Sequence, residues 1–426
     1  MTGQERSEER RARPSFRRRL GRAVLVPFLA ILTAWLVSAL FIVGSDPAVH
    51  RAFGEGIGRG LLSTGESVVT AYGALLEGSF GNPAEIYAGL RTLIATGDPA
   101  PFKNSLYALS ESLTASVPYI FAGLAVALGF RCGLFNIGAE GQIFIGALAS
   151  VYIGYSIKGL PWYIHVPLAL LAGAVGGALW ALPSGLLKAW RGAHEVITTI
   201  MMNYIAFRLS DYLLNGPMRG AGMFPRSPGI EETAKIPPLF APFKIVIGGA
   251  ERVISLRFHT GFFLALAVAL LVWWFLWKTT LGFEIRAVGA NPDAARYAGI
   301  SITRNFALAM ALSGALAGLA GANEVLGVNY YVGQAFSSGY GFDSIALALL
   351  GRSHPRGVVL ASLLWGVLRA GAKRMESGPG IPIDIISIIQ AMVIVFVAAP
   401  ELVRWIYRLR AEKVEEEMIF TRGWGG

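Results

Sequence analysis

Residues 131–150, RCGLFNIGAEGQIFIGALAS, place Asn136, Glu140 and Gln142 inside a stretch that otherwise reads as membrane-embedded. Polar groups in hydrocarbon are costly unless they pair or line a cavity. Two chemistries are therefore open to them. They can border a path for a polar solute, or they can hydrogen-bond the start of a tightly packed helix. Asn136 can N-cap a helix beginning at Ile137. Glu140 then lies in the first turns, where the helix dipole favours a carboxylate. Glu140 and Gln142 point about 200° apart on such a helix, so both cannot face one cavity. Glycines at 133, 138, 141 and 146 let backbones approach closely.

Other polar groups stand in apolar surroundings. Asn203 lies deep in the run from Arg191 to Tyr204, RGAHEVITTIMMNY, and can serve a pathway or an interhelical hydrogen bond. Glu324, Asn329, Gln334, Asp343 and Ser344 surround the outer end of a later apolar run, and Asp384 and Gln390 lie on the last one. Ionisable groups within a membrane are functional candidates, whereas those at span ends can simply be solvated. Catalysis finds little support. His194 and Glu195 have no second histidine four residues on and no third partner. Five scattered histidines and the single Cys132 offer no metal cluster and no intramolecular disulfide. Lys278 is the only lysine followed by Ser or Thr, and Trp277 precedes it, so the chain carries no phosphate loop and no ATP site of that type.

The elements that must position these groups are membrane helices. The chain is 54% hydrophobic and only 15% charged, against roughly 25% charged in soluble domains. Apolar runs of about 20 residues recur along it. The net charge of +10 does not point to nucleic acid, because the basic residues cluster at the ends of the runs. The expected fold is all-α and polytopic, with about ten transmembrane helices. The spans are read at 23–43, 112–130, 134–157, 163–187, 196–214, 261–277, 306–326, 342–350, 357–370 and 383–398. A basic cytoplasmic tail at 1–22 precedes the first, which is too long for a signal-peptide core and reads as an uncleaved helix. Residues 44–111 form an external or interfacial segment with short amphipathic helices, and residues 112–400 the main transmembrane domain. Within that domain, 215–260 is a proline-rich external loop and 278–304 a cytoplasmic loop, and a cytoplasmic tail follows at 401–426.

Parity returns both termini to the inside, although Lys373 and Arg374 then fall outside, against the positive-inside rule. Spans two to five and seven to ten form two blocks of inverted topology, each with a broken half-helix: 136–142 in the first, 342–357 in the second. Gly173-x-x-x-Gly177 and Gly314-x-x-x-Gly318 are close-packing motifs. Trp273, Trp274 and Trp277 read as interfacial anchors. In the inner loop, Asn291-Pro292-Asp293 predicts a short capped helix, a knob that a soluble partner could grip.

Taken together, five stretches resemble the permease subunits of ABC importers, the family of simple-sugar, nucleoside and branched-chain amino-acid permeases. They are GLFNIGAEGQIFIGA at 133–147, HEVITTIMMNYIA at 194–206, FEIRAVGANPDAARYAGI at 283–300, GFDSIALALLGRSHPRG at 341–357 and GIPIDIISIIQA at 380–391. The first span and its long external segment look most like the nucleoside branch. The resemblance implies a pore of two permeases, identical or related, in the bacterial cytoplasmic (inner) membrane. Two ATPase subunits on the inside hold ATP and magnesium, and an external binding protein or lipoprotein delivers substrate. No cofactor is expected on this chain. ATPase-coupling residues would be Glu284, Arg286, Gly289, Ala294, Gly299 and Ile300, and pathway candidates Asn136, Glu140, Gln142, Asn203 and Asp343. Nucleosides are the expected substrate, with a simple sugar as the alternative. Tyr119, Phe135 or Phe144 facing the cavity would favour a nucleoside. A rival of another class is a secondary transporter driven by an ion gradient through Glu140 or Asp343.

Overall fold

A computed structural model describes residues 16–247 and 250–408. The basic tail read at 1–22 lies outside the described residues as far as residue 15, and the tail read at 401–426 does so from residue 409. In chain order the helices begin with α1 (Phe16–Ser45), α2 (Pro47–Glu55), α3 (Ile57–Phe80), α4 (Pro83–Thr96) and α5 (Ala100–Ser105). Then come α6 (Tyr107–Arg131), α7 (Ala139–Ser156), α8 (Trp162–Arg191), α9 (Glu195–Asn215) and α10 (Gly261–Lys278). They are followed by α11 (Thr280–Ala290), α12 (Pro292–Tyr297), α13 (Ile302–Glu324), α14 (Tyr340–Leu350), α15 (Pro355–Ser377), α16 (Ile383–Ala398) and α17 (Pro400–Ile406). The loop read at 215–260 also holds one antiparallel hairpin, β1 (Phe243–Ile247) with β2 (Ala250–Ile254), in register Phe243 to Ile254.

Two compact units share these elements. One contains the described residues up to Thr70 and those from Ile381 onward. Here α16 and α17 pack against α1, and the hydroxyls of Thr33 and Tyr407 lie 3.0 Å apart. Asp46 caps α2 by accepting from the Ala48 N–H at 2.8 Å, with Pro47 at the first helical position, and it also accepts from Ser67 at 2.6 Å.

The other unit runs from Ala71 to Gly380. Helix α6 is apolar around its whole circumference and almost wholly buried, so it becomes the central rod. Contacts around it are reciprocal. Helix α6 packs on α15 and α14, while α13 packs on α8 and α7. First and third helices of the two blocks thus exchange partners, the pattern an internal inverted repeat produces. The repeat stops short of its fourth pair, because α16 lies in the unit of α1. The two glycine motifs meet each other where α8 crosses α13: a Cβ on Gly177 would stand 2.2 Å from the Gly314 carbonyl, and one on Gly318 2.2 Å from that of Gly173.

Five helical segments among the described residues are long and apolar enough to cross a membrane: Phe28–Ser45, Tyr107–Arg131, Trp162–Arg191, Gly261–Lys278 and Ile302–Asn329. Three more, α7, α9 and α15, have 18, 21 and 23 residues but carry internal polar groups. Helix α7 shows why such a composition is tolerated. Its polar residues face protein, and Glu140 and Gln142 are both buried. It also starts later than expected, at Ala139 with Gly138 in the cap position, so Asn136 is not an N-cap. The proline-rich loop is stitched to the segment that follows α13, through Ser227 N–H to the Val332 carbonyl at 2.8 Å and Ile236 N–H to the Leu326 carbonyl at 2.9 Å.

Candidate functional site

Helix α13 ends in one turn of π-helix, Val325–Asn329, and Tyr330 follows in the left-handed region at φ 63°. Such single turns occur often at functional sites, because the wider turn re-aims side chains. Here it brings Glu324 and Asn329 to the wall of a cavity of about 280 Å³. Tyr119 from α6, Tyr340 at the start of α14 and Phe336 between them supply aromatic walls, with Ser338 beside them. The rings of Tyr119 and Tyr340 meet edge to face with centroids 5.1 Å apart. Asn329 donates to Glu324 at 3.4 Å, and the Tyr340 hydroxyl donates to the same carboxylate at 3.5 Å.

Charge around the cavity is balanced. Arg257, Arg369 and Lys373 line it together with Glu111 and Glu324. Arg257 grips both carboxylate oxygens of Glu111, through Nε at 2.8 Å and through Nη2. Asp343 stands behind the wall and accepts from the Tyr119 hydroxyl at 3.2 Å and the Trp365 indole N–H at 3.3 Å, with Arg369 4.0 Å away. Three cations thus face three carboxylates, which suits a polar but uncharged ligand. Lys373 and Arg374, anomalous under the positive-inside rule, have local carboxylates: Lys373 shares the cavity with Glu324, and Arg374 pairs with Glu77 at 3.5 Å.

None of the pathway candidates read from sequence is among the residues that line this cavity. Asn136 and Gln142 form a reciprocal amide pair at 2.9 and 3.1 Å. Asn136 also donates to Ser313 at 2.8 Å, and Ser313 donates to the Ala125 carbonyl at 2.7 Å. Glu140 accepts from the Gly341 N–H at 2.6 Å and so caps α14, which joins the two interrupted segments directly. Asn203 accepts from the Gly141 N–H at 2.8 Å and donates to the Ile137 carbonyl at 3.0 Å. Both partners are main-chain groups at the start of α7, so Asn203→Leu leaves them unmatched, at about 1–3 kcal/mol for the buried Gly141 N–H. A fall of several degrees in the thermal midpoint of the purified protein is the expected result; an unchanged midpoint would contradict this role. Of the aromatic candidates, Tyr119 lines the cavity, while Phe144 meets Phe336 edge to face at 4.8 Å and Phe135 packs on Phe130 at 5.2 Å. Arg257, Arg369, Tyr340 and Phe336 are not among the residues the sequence reading names, and Lys373 enters it only as an exception to the positive-inside rule. Arg369, a basic side chain within the apolar run 357–370, was the signal available in the sequence.

At the other end of the bundle α11 and α12 form the loop element. Asn291 caps α12 by accepting from the N–H groups of Asp293 and Ala294 at 3.0 and 3.1 Å, with Pro292 at the first position as its sequence predicts. Glu284 accepts from Asn305 at 3.0 Å and pairs with Arg304. These two donors, Asn305 first, hold its carboxyl below the usual range. Arg286 donates to the Leu276 carbonyl at 2.9 Å and lies over the Trp277 ring. A Cβ on Gly289 would stand 2.2 Å from the Arg131 carbonyl, so this residue is a packing contact with the end of α6. Ile300 packs against the core, whereas Ala294 and Gly299 are exposed beside Tyr297, which is 96% exposed.

Buried polar pairs, close helix crossings and a polar cavity among long apolar helices fit a polytopic all-α membrane permease. The comparisons agree with this class. Residues 108–398 match the family model described as branched-chain amino acid transport system / permease component. A guanosine ABC transporter permease of Bacillus subtilis is 39% identical over 385 residues, covering 90% of this chain and 95% of the relative. A glucose ABC transporter permease of Haloferax volcanii is 40% identical over 300 residues, 70% of this chain and 78% of the relative. A nucleoside ABC transporter permease of Lactococcus lactis is 36% identical over 301 residues, 69% and 80% respectively. No solved structure matches the chain. The chain belongs to the branched-chain amino acid transport system / permease component family and is a multi-pass membrane permease of an ABC importer. Permeases of this family work with ATPase and substrate-binding components.

Proposed function

We propose that this permease forms the translocation path of a nucleoside importer. The observation that carries the reading is the cavity, where the rings of Tyr340 and Phe336 line the wall beside Asn329, Ser338 and a balanced set of charges, with the buried ring of Tyr119 packed edge to face against Tyr340. A nucleoside has a flat heteroaromatic ring that stacks on aromatic side chains and a ribose whose hydroxyls take polar contacts. The relatives named for guanosine and nucleosides support the same substrate class. Two copies of the permease, or this chain with a related one, make the pore in a bacterial cytoplasmic membrane, with both termini inside. Two ATPase subunits binding ATP and magnesium dock on α11 and α12, where Ala294, Tyr297 and Gly299 are exposed. An external binding protein or lipoprotein delivers the substrate.

The relative named for glucose supports a simple sugar as the second reading. The test is uptake by the assembled transporter in proteoliposomes, using purine and pyrimidine nucleosides, ribose and glucose at equal concentration. Saturable, ATP-dependent uptake of nucleosides alone is expected. Uptake of glucose or ribose without nucleosides would overturn the substrate class, and uptake that ignores ATP but collapses with an ionophore would overturn the ABC mechanism.

A further inference from the structure

Arg131 ends α6 at the inner face, where it touches three elements at once. Its Nε donates to the Ser353 carbonyl at 2.9 Å and its Nη2 to the Arg352 carbonyl at 3.0 Å. Those residues form the break between α14 and α15, and both are held in the left-handed region, at φ 51° for Arg352 and 49° for Ser353. Non-glycine residues adopt that conformation at a cost, and two in succession persist only where the surroundings hold them. The fork of Arg131 holds their carbonyls. The same guanidinium lies 5.3 Å from the centre of the Trp277 ring, which Arg286 of α11 approaches at 5.6 Å and the His354 ring at 4.7 Å. Burial, and then the charges of Arg131 and Arg356, push the His354 imidazole below its usual range. Beside this cluster the backbone of Gly289 rests on that of Arg131 and Cys132.

What Arg131 holds leads to the cavity. Helix α14 has 11 residues, about 16 Å of rise. Its inner end is the clamped break, and its outer end carries Tyr340 on the cavity wall and Asp343 bonded to Tyr119. We infer that Arg131 is a positioning residue that links α11, the element facing the ATPase, to the substrate cavity through the half-helix α14. Movement of α11 shifts Gly289 and Arg286, which shift Arg131 and Trp277. The fork then draws on the break, and α14 moves as a rod that repositions Tyr340 and Asp343. This inference rests on the ATP-driven reading above.

The test uses the assembled transporter in proteoliposomes, in a Cys132→Ser background that removes the chain's one cysteine, with Ser338→Cys as a probe on the cavity wall. With Arg131 present, alkylation of the probe by a hydrophilic maleimide should change rate on trapping with ATP and vanadate. With Arg131→Gln the rate should no longer respond to trapping. Without the probe, solute taken up per ATP hydrolysed should fall about tenfold, within the usual range of coupling between sites. Arg131→Lys keeps a cation near the indole but gives up the fork, and should fall in between. It carries the test if Arg131→Gln does not assemble. A Gln or Lys variant with wild-type trapping response and wild-type uptake per ATP overturns the relay alone. A probe that ignores trapping even with Arg131 present overturns both the relay and the ATP-driven reading.

Discussion

Gly318→Leu should yield a permease that neither assembles normally nor transports. Even the first atom of the new side chain would lie 2.2 Å from the Gly173 carbonyl oxygen and 3.1 Å from the Gly177 Cα. Both obstacles are main chain, so no rotamer change relieves them, and α8 and α13 must separate. Overpacking a well-fitted interior costs about 1–3 kcal/mol, and more where backbone must move. Separation would also loosen α7, because Gly146 rests against Gly318 so closely that a Cβ there would come within 2.3 Å of its Cα. In the membrane this contact has no easy substitute, since lipid gives helices no hydrophobic reason to associate and close van der Waals contact does most of the holding. Gly73→Leu is the matched control, since nothing lies within 4 Å of a Cβ at that position. Thermal midpoints in detergent and uptake by equal amounts of protein measure the effect. A Gly318→Leu protein as stable and active as the Gly73→Leu protein would refute the close crossing.

That crossing also shows what a sequence can and cannot reveal. Small residues four apart are visible as a pattern, so each glycine motif was legible by itself. That the two motifs face one another was not, because a spacing within one helix carries no information about its partner. Asn136 illustrates the opposite error. Its position before an apolar run predicts an N-cap, yet Ser313 and Gln142 offer better-enclosed partners, and Ser313 is 177 residues away. Asn291 and Pro292 sit on an exposed helix with no tertiary competitor for the cap, and there the local rule held. The cavity was the least legible part. Lys373 enters the sequence reading only as an exception to the positive-inside rule and Arg369 does not enter it, because hydropathy and parity treat such residues as a topology question. Their carboxylates come from distant segments, Asp343 for Arg369 and Glu324 beside Lys373, and only tertiary structure brings them together.

Asp343 separates the two ways in which this transporter could be powered. Its Oδ2 is the acceptor for both the Tyr119 hydroxyl and the Trp365 indole, and Arg369 stands nearby. If its work is to hold these three around the cavity, an acceptor oxygen matters more than a titratable proton. Asp343→Asn still offers a carbonyl oxygen to Tyr119 and Trp365, so uptake should fall by no more than about tenfold. Asp343→Leu leaves the hydroxyl and the indole N–H without a partner, at about 1–3 kcal/mol each, and strips Arg369 of its counterion. Uptake by the Leu variant should therefore drop by about a hundredfold, with nucleoside and ATP present at wild-type levels. An ion-gradient carrier that protonates Asp343 in its cycle makes a different demand, because Asn and Leu abolish the titration equally. Equal loss in both variants, with any residual uptake sensitive to an ionophore, would favour that mechanism. Unequal loss in the order stated, with ionophore without effect, assigns Asp343 to support of the wall of an ATP-driven path.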